Sequence, residues 1–88
     1  MRIRVVYSGR VQGVGFRATA AWCAKGLPVS GFVRNLADGT VLLEAQGAAT
    51  EIDTLLARIA DRMGRNINRA DRAEVPEHAG ERAFEVRR

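Results

Sequence analysis

Three glycines and two arginines fall within nine residues near the start of the chain, a combination suited to holding an oxyanion. The segment reads Gly9, Arg10, Val11, Gln12, Gly13, Val14, Gly15, Phe16, Arg17. Glycine lets a backbone turn so that successive N–H groups face one point, which suits phosphate. A nearby guanidinium can add two parallel hydrogen bonds to phosphoryl oxygens. We therefore interpret residues 9–15 as a phosphate-binding loop with Arg17 beside it.

The elements around this loop follow from the spacing of apolar residues. Ile3, Val5 and Tyr7 alternate with other residues, which predicts a first strand with one covered face. A helix is predicted from about residue 16 to residue 25. Arg17 would then lie in the first turn of this helix, where the loop N–H groups and the positive end of the helix dipole both favour an anion.

The remaining elements predict the fold class. Residues 29–35 and 40–46 are predicted strands, and Asp38-Gly39 between them is a typical hairpin turn. A second helix is expected to begin with Thr50 as its N-cap and to carry one apolar face. Weaker strand signals follow at residues 69–75 and 83–87. The order predicts a ferredoxin-like α+β fold of the split β-α-β type, with an antiparallel sheet and two helices on one face.

Length and composition indicate one small domain over residues 1–88. The apolar runs are far shorter than the roughly 20 residues needed to cross a bilayer, and the start lacks the apolar core of a signal peptide. We therefore expect a cytoplasmic protein without membrane contact. The single cysteine, Cys23, excludes an internal disulfide and a multi-thiolate metal site, and we expect it to be buried.

The charge is basic but evenly spread. The formal net charge is +4, from 14 basic and 10 acidic side chains. Residues 1–57 carry six basic and four acidic side chains and residues 58–88 carry eight and six, so each part has a net charge of +2. A basic balance favours anionic partners. The even mixture is typical of a solvated surface rather than of a nucleic-acid-binding tail.

Two segments resemble the signatures of the acylphosphatase family. Residues 9–17 fit the pattern G-x-V-Q-G-V-x-F-R, and residues 31–41 fit G-aromatic-V-basic-N-x-x-x-G-x-V, with Gly47 at the expected distance beyond. The chain is also similar to this family in length and element order. The resemblance implies a ferredoxin-like fold and hydrolysis of acyl phosphates to a carboxylate and inorganic phosphate. It implies no cofactor and no metal.

The resemblance also implies roles for individual residues. Residues 9–15 match the phosphate-binding loop, Arg17 matches the phosphate-binding arginine, and Asn35 matches the asparagine that orients the attacking water. Inorganic phosphate is expected both as product and as competitive inhibitor. Neither motif contains a general base, so a phosphoryl oxygen of the substrate is the expected acceptor of the water's proton.

Other residues receive simpler interpretations. Arg10 and Arg34 are read as solvated side chains that could steer an anionic substrate. Trp22 and Phe32 are expected to pack against the sheet. His78, the single histidine, is placed in a surface connection and is given no catalytic role.

Two other functions remain open from the sequence. A ferredoxin-like module with a basic surface can bind RNA, although such modules stack bases on strand aromatics and strand one offers only Tyr7. We therefore do not expect nucleic-acid binding. The other alternative is a carbamoyl-phosphate-handling domain like that of the hydrogenase maturation factors, against which the short chain argues.

Overall fold

Five strands and two helices make up the structure, a computed structural model that describes residues 1–88. The strands are β1 (Arg2–Gly9), β2 (Ser30–Asn35), β3 (Val41–Gln46), β4 (Ile67–Glu74) and β5 (Phe84–Arg87). The helices are α1 (Phe16–Ala24) and α2 (Ala49–Met63), and a single 3₁₀ turn (Gly64–Asn66) follows α2. Each predicted element is present.

The strands form one sheet in the order β4-β1-β3-β2-β5. The pairs β1–β3, β1–β4 and β2–β3 are antiparallel, as expected, whereas β5 pairs in parallel with β2. This difference arises because residues 75–83 carry the chain along one end of the sheet to its far edge. There β5 starts beside the first residues of β2. The ferredoxin-like α+β class is confirmed, and the sheet is mixed.

The core lies between the sheet and the two helices, which pack against each other. Alternate side chains of the central strands are buried there, as the period-two pattern predicts. They are Ile3, Val5, Tyr7, Val33, Val41, Leu43 and Ala45. The apolar faces of the helices complete this core, including Cys23 on α1 and Ile52, Leu55, Ile59 and Met63 on α2. No helix has the length and apolar character needed to span a membrane.

Two local expectations were wrong. Ala48, not Thr50, is the N-cap of α2, and Thr50 lies inside the first turn. Trp22 does not pack against the sheet, because it lies on the side of α1 opposite the buried Ala20, Cys23 and Ala24. Its side chain is 57% exposed, with the Lys25 ammonium 5.0 Å from the ring centroid. Phe32, in contrast, is buried on the sheet as expected.

The β2–β3 hairpin is confirmed, with Asn35 opposite Val41. In its turn the Asp38 carboxylate accepts hydrogen bonds from the Thr40 backbone N–H (3.0 Å) and the Thr40 hydroxyl (2.6 Å). Gly39 supplies the left-handed conformation that the turn requires, with φ of 92°. The turn therefore fixes the end of β2 and, with it, the backbone position of Asn35.

A buried ion cluster lies on the face of the sheet away from the helices. The Arg2 side chain is fully buried and donates to Glu44 at 2.8 Å and to Glu81 at 2.7 Å. Arg4 donates to the same Glu44 carboxylate at 3.1 Å. Because Glu81 belongs to the 75–83 connection, the cluster holds that connection, and therefore the start of β5, against the sheet.

Replacing Arg2 by methionine is expected to lower the free energy of unfolding by about 3 kcal/mol, because Glu44 would lose a charged partner in a buried site. Urea denaturation at neutral pH would measure this change. Arg69→Met is the matched control, since the Arg69–Asp71 pair is largely exposed. Its effect should stay within about 0.5 kcal/mol. Equal effects of the two substitutions would show that burial of an ion pair does not determine its contribution to the free energy of unfolding.

The same cluster predicts sensitivity to acid. Burial alone would raise the pKa of Glu44, but hydrogen bonds from Arg2 and Arg4 outweigh it and hold this pKa below its ordinary value of 4.5. The hydrogen bond from Arg2 likewise lowers the pKa of Glu81. A carboxyl with a lowered folded-state pKa stabilises the fold above its unfolded-state pKa, and this contribution is lost as the pH falls.

The difference in unfolding free energy between the wild type and Arg2→Met should therefore have its largest value at neutral pH. It should narrow as the pH drops below about 4.5, the ordinary pKa of these carboxyls. Denaturation curves across this range would measure it. A difference that stays constant into strong acid would show that Glu44 and Glu81 do not carry the effect.

Candidate active site

Three strands that run in the same direction end together at one end of the sheet. These strands are β1, ending at Gly9, β2, ending at Asn35, and β5, ending at Arg87. The predicted phosphate-binding loop leaves β1 at this end and leads into α1. The topology therefore brings the loop, Asn35 and the end of the chain to one place.

An open cleft of about 320 Å³ lies among these elements. Its lining residues are Val11, Gly13, Gly15, Phe16, Arg17, Ala18, Asn35, Val86 and Arg88. The structure thus brings together the two residues that the sequence singled out, Arg17 and Asn35. Of the loop residues, Val11, Gly13 and Gly15 line the cleft, while Gly9, Arg10, Gln12 and Val14 do not.

The loop carries a run of free backbone donors. The N–H groups from Val11 to Ala18 donate to no backbone carbonyl, and the first such bond of α1 runs from Thr19 to the Gly15 carbonyl. Gly13 and Gly15 have φ of 75° and 78°, a left-handed conformation that other residues rarely adopt. Consecutive donors in such a loop at a helix N-terminus form a binding site for an anion.

Gln12 and Gly9 hold the loop in place from outside the cleft. The Gln12 carboxamide nitrogen donates to the carbonyls of Leu36 (2.8 Å) and Thr40 (2.9 Å) in the β2–β3 turn. At Gly9 a Cβ atom would lie 2.4 Å from the Asn66 carbonyl oxygen, so this position accepts no side chain without movement. These two residues of the signature therefore position the loop rather than line the cleft.

Arg17 is half-buried and fixed from two directions. Its Nη1 donates to the Arg87 carbonyl at 3.0 Å. The preceding residue, Phe16, is buried and packs against Tyr7, with 4.9 Å between ring centroids. One guanidinium hydrogen bond thus orients the side chain, and the other N–H groups remain for a ligand.

Asn35 is the last residue of β2 and lines the cleft together with Arg17 and three loop residues. Its backbone is held by pairing with Val41, and the tight turn that follows prevents the strand from continuing. A carboxamide offers both donors and an acceptor. It can therefore hold a water molecule through one atom and contact an oxyanion through the other.

Val86 and Arg88 also line the cleft, although the sequence interpretation gave them no role. Their position depends on the parallel pairing of β5 with β2, where Val86 lies opposite Val33. The weak strand signal at residues 83–87 predicted a strand but not its neighbour. The sequence carries no local signal for the pairing of β5 with β2.

No Asp, Glu or His side chain lines the cleft. His78 is exposed in the connection at the other end of the sheet, where its backbone N–H donates to the Gln46 side-chain oxygen at 2.8 Å. Burial raises the pKa of Tyr7, beneath the loop, to about 12. No cluster of metal-binding side chains is present. The arrangement can bind a doubly charged anion and position a water molecule, and it offers no side chain as a general base.

Comparisons with known proteins point to one family. A family model described as Acylphosphatase matches residues 3–86. An acylphosphatase of Bordetella parapertussis is 42% identical over 86 residues, which cover 98% of this chain and 84% of that protein. An acylphosphatase of Methanospirillum hungatei is 36% identical over 88 residues, covering 99% and 97%. The crystal structure of acylphosphatase from Bacillus subtilis has the same fold, with a TM-score of 0.86, 24% identity and coverage of 99% and 98%.

Proposed function

This chain belongs to the acylphosphatase family and hydrolyses acyl phosphates, and we propose that residues 9–15 and Arg17 bind the phosphoryl group while Asn35 orients the attacking water. The observation that carries this assignment is the run of free N–H groups from Val11 to Ala18 beside Arg17 and Asn35. The protein is thus a hydrolase whose substrate is a small acyl phosphate.

Binding of the phosphoryl group uses charge and backbone dipoles together. The loop N–H groups and the N-terminus of α1 stabilise a dianion, and the Arg17 guanidinium adds charge-assisted hydrogen bonds. Because the Arg87 carbonyl already orients this guanidinium, little reorganisation is needed when substrate binds. Donors that are held in place before the reaction stabilise charge that develops in the transition state.

The chemical step is attack of water on phosphorus. Asn35 holds the water in line with the bond between phosphorus and the acyl oxygen. The new P–O bond forms as that bond breaks, and the electron pair leaves with the carboxylate. A phosphoryl oxygen accepts the water's proton. Phosphoryl transfer needs mainly positioning and charge stabilisation, and a carboxylate leaves without acid assistance.

Hydrolysis of benzoyl phosphate by the purified protein at neutral pH, with a metal chelator present, tests this proposal. Rapid, chelator-resistant release of phosphate is expected. Absence of turnover in a folded protein would contradict the proposal. Carbamoyl phosphate hydrolysis, or RNA binding that weakens with salt, would then favour one of the two alternative functions.

Inorganic phosphate is expected to inhibit competitively, because product and substrate phosphoryl group would share the loop donors and Arg17. Initial rates at several phosphate concentrations should show a rising apparent KM for benzoyl phosphate and an unchanged kcat. Chloride at equal ionic strength controls for salt. A fall in kcat with constant KM would place the phosphate elsewhere on the protein.

We propose no nucleic-acid partner, on the evidence of the aromatic side chains of the sheet. Tyr7 is buried in the core against Phe16. Phe32, on the open face of the sheet, is buried and has the Arg87 guanidinium 4.2 Å from its ring centroid. The sheet therefore has no exposed ring on which a base could stack. The cytoplasmic location stays a prediction from the sequence.

A further inference from the structure

The strand β4 forms one edge of the sheet and has a neighbouring strand on one side only. It pairs with β1, and no strand lies beyond it. It is eight residues long, its residues 68–74 are exposed, and no proline interrupts it. The strand at the other edge, β5, has only four residues. A long exposed edge offers a row of unpaired backbone groups to another strand.

The unpaired backbone groups of β4 belong to its even-numbered residues. The Val75 N–H, just beyond the strand, donates to the Arg2 carbonyl of β1 at 3.0 Å. Every second residue of an antiparallel strand turns its N–H and C=O to the same neighbour, so Asp71 also faces β1. The backbone groups of Ala70 and Arg72 therefore point outward from the edge of the sheet.

The charges of β4 balance, unlike those of the whole chain. The strand carries Arg69 and Arg72 against Asp71 and Glu74, so its net charge is zero, whereas the chain has a formal net charge of +4. Two copies of a basic chain repel each other. The neutral edge is therefore a favourable place for two copies to meet.

The order of these charges selects one register for pairing β4 with a second copy of itself. A two-fold axis perpendicular to the sheet places one residue of the antiparallel pair opposite its own copy. With Ala70 at the axis, Arg69 of each copy lies opposite Asp71 of the other. With Arg69, Asp71 or Arg72 at the axis, two like charges lie opposite each other, which is unfavourable. An axis nearer either end of β4 would pair only a few residues.

The register centred on Ala70 also suits the backbone. Because the Ala70 groups point outward, the two copies of Ala70 can exchange both of their N–H···O=C hydrogen bonds. Arg69 and Asp71 then form the non-hydrogen-bonded pairs on either side, where side chains approach most closely. These two side chains already pair within one chain at 2.8 Å. Pairing of two copies would join them into a closed ring of alternating charges.

An apolar groove lies beside this edge, between β4 and α2. It has a volume of about 370 Å³, and its lining residues include Leu56, Ala60, Ile67 and Ala70. Because Ala70 lines the groove, an axis at Ala70 places the grooves of two copies next to each other on the helix side of the sheet. Pairing would therefore remove apolar surface of both copies from water, which favours association.

We propose that two copies of this chain associate through β4, antiparallel and centred on Ala70, so that their sheets join into one continuous sheet. The two cross-strand pairs of Arg69 with Asp71 fix the register. Association stops at two copies, because each copy uses its single β4 edge. The cleft that contains Arg17 and Asn35 stays open in the dimer, since no residue of β4 or α2 lines it.

Analytical ultracentrifugation of the full chain at increasing protein concentration tests this proposal. The wild type should pass from monomer to dimer and form no larger species. Arg69→Asp makes both cross-strand pairs repulsive and should raise the dissociation constant of the dimer at least about tenfold, and so should Asp71→Arg. Arg82→Asp changes the net charge as Arg69→Asp does but lies outside β4 in an exposed position. This control should not raise the dissociation constant.

A mixture of the Arg69→Asp and Asp71→Arg chains tests the register itself. In a pair made of one chain of each kind, each residue 69 again lies opposite a residue 71 of opposite charge. With a fluorescent label on one variant, the equimolar mixture should form a heterodimer at concentrations where each variant alone is monomeric. Circular dichroism checks that both variants are folded.

Four results would overturn the proposal. A wild type that stays monomeric at about 1 mM protein has no self-association surface of useful affinity. Growth into open-ended oligomers would exclude the closed two-fold pair. A mixture that forms no heterodimer would exclude the register centred on Ala70. Equal heterodimer formation by Arg82→Asp with Asp71→Arg, a mixture with the same net charges, would show that net charge alone drives association.

Discussion

Replacing Arg17 by alanine is expected to lower kcat/KM for benzoyl phosphate by at least about 10² to 10³, the usual cost of one donor that stabilises developing charge. In the proposed mechanism Arg17 both binds the phosphoryl group and stabilises the charge that spreads over its oxygens, so kcat should fall and KM should rise. Steady-state kinetics on the variant, with folding checked by circular dichroism, measures both parameters.

Two further variants separate geometry from charge. Arg17→Lys keeps the positive charge but loses the planar fork, and one of its donors could still reach the Arg87 carbonyl. Its activity should lie well below that of the wild type and above that of Arg17→Ala. Arg34→Ala removes an exposed charge beside Asn35 and should change kcat/KM by no more than about threefold, as expected for long-range steering. Equal losses in Arg34→Ala and Arg17→Ala would show that charge alone matters.

Replacing Asn35 by alanine is expected to lower kcat by about 10² while KM changes by less than about threefold, because the proposed role of the carboxamide is to hold the water rather than the bound substrate. The inhibition constant of inorganic phosphate should change little. That constant serves as the internal control, since it shows that the loop and Arg17 remain in place. The measurement is the same steady-state assay.

Near-normal turnover in Asn35→Ala would remove the water-positioning role from this residue. A large rise in KM together with a weaker phosphate inhibition would instead assign Asn35 to phosphoryl binding.

The sequence was sufficient to predict the elements and the proximity of Arg17 and Asn35, because its signals for them are local. The alternation of Ile3, Val5 and Tyr7 gives a strand with one covered face, and glycines at 13 and 15 mark positions that need left-handed backbone. Once β1 and β2 are assigned the same direction, Arg17 and Asn35 must lie at one end of the sheet.

The features that the sequence did not predict depend on contacts between distant segments. The parallel pairing of β5 with β2 follows from the path of residues 75–83, which no local pattern encodes. A buried Arg2 contradicts the usual exposure of arginine and depends on carboxylates at positions 44 and 81. The helical spacing places Trp22 on the side of α1 away from Ala20 and Cys23, so it predicts an exposed side chain. The apolar character of Trp22 was the wrong guide.

The roles within the signature also needed the structure. Gln12 lies in the middle of the loop motif, yet its side chain donates hydrogen bonds to the β2–β3 turn and does not line the cleft. Gly9 serves close packing against Asn66.

The most direct test of the central claim is a titration of the isotopically labelled protein with inorganic phosphate, followed in its ¹H–¹⁵N NMR spectrum. The proposed site predicts that the largest saturable shifts occur in the backbone amides of residues 11–18 and in the side-chain amide of Asn35. Arg17→Ala should greatly weaken them. Saturable shifts centred elsewhere, with those amides unmoved, would contradict the assignment of the phosphoryl site to this loop.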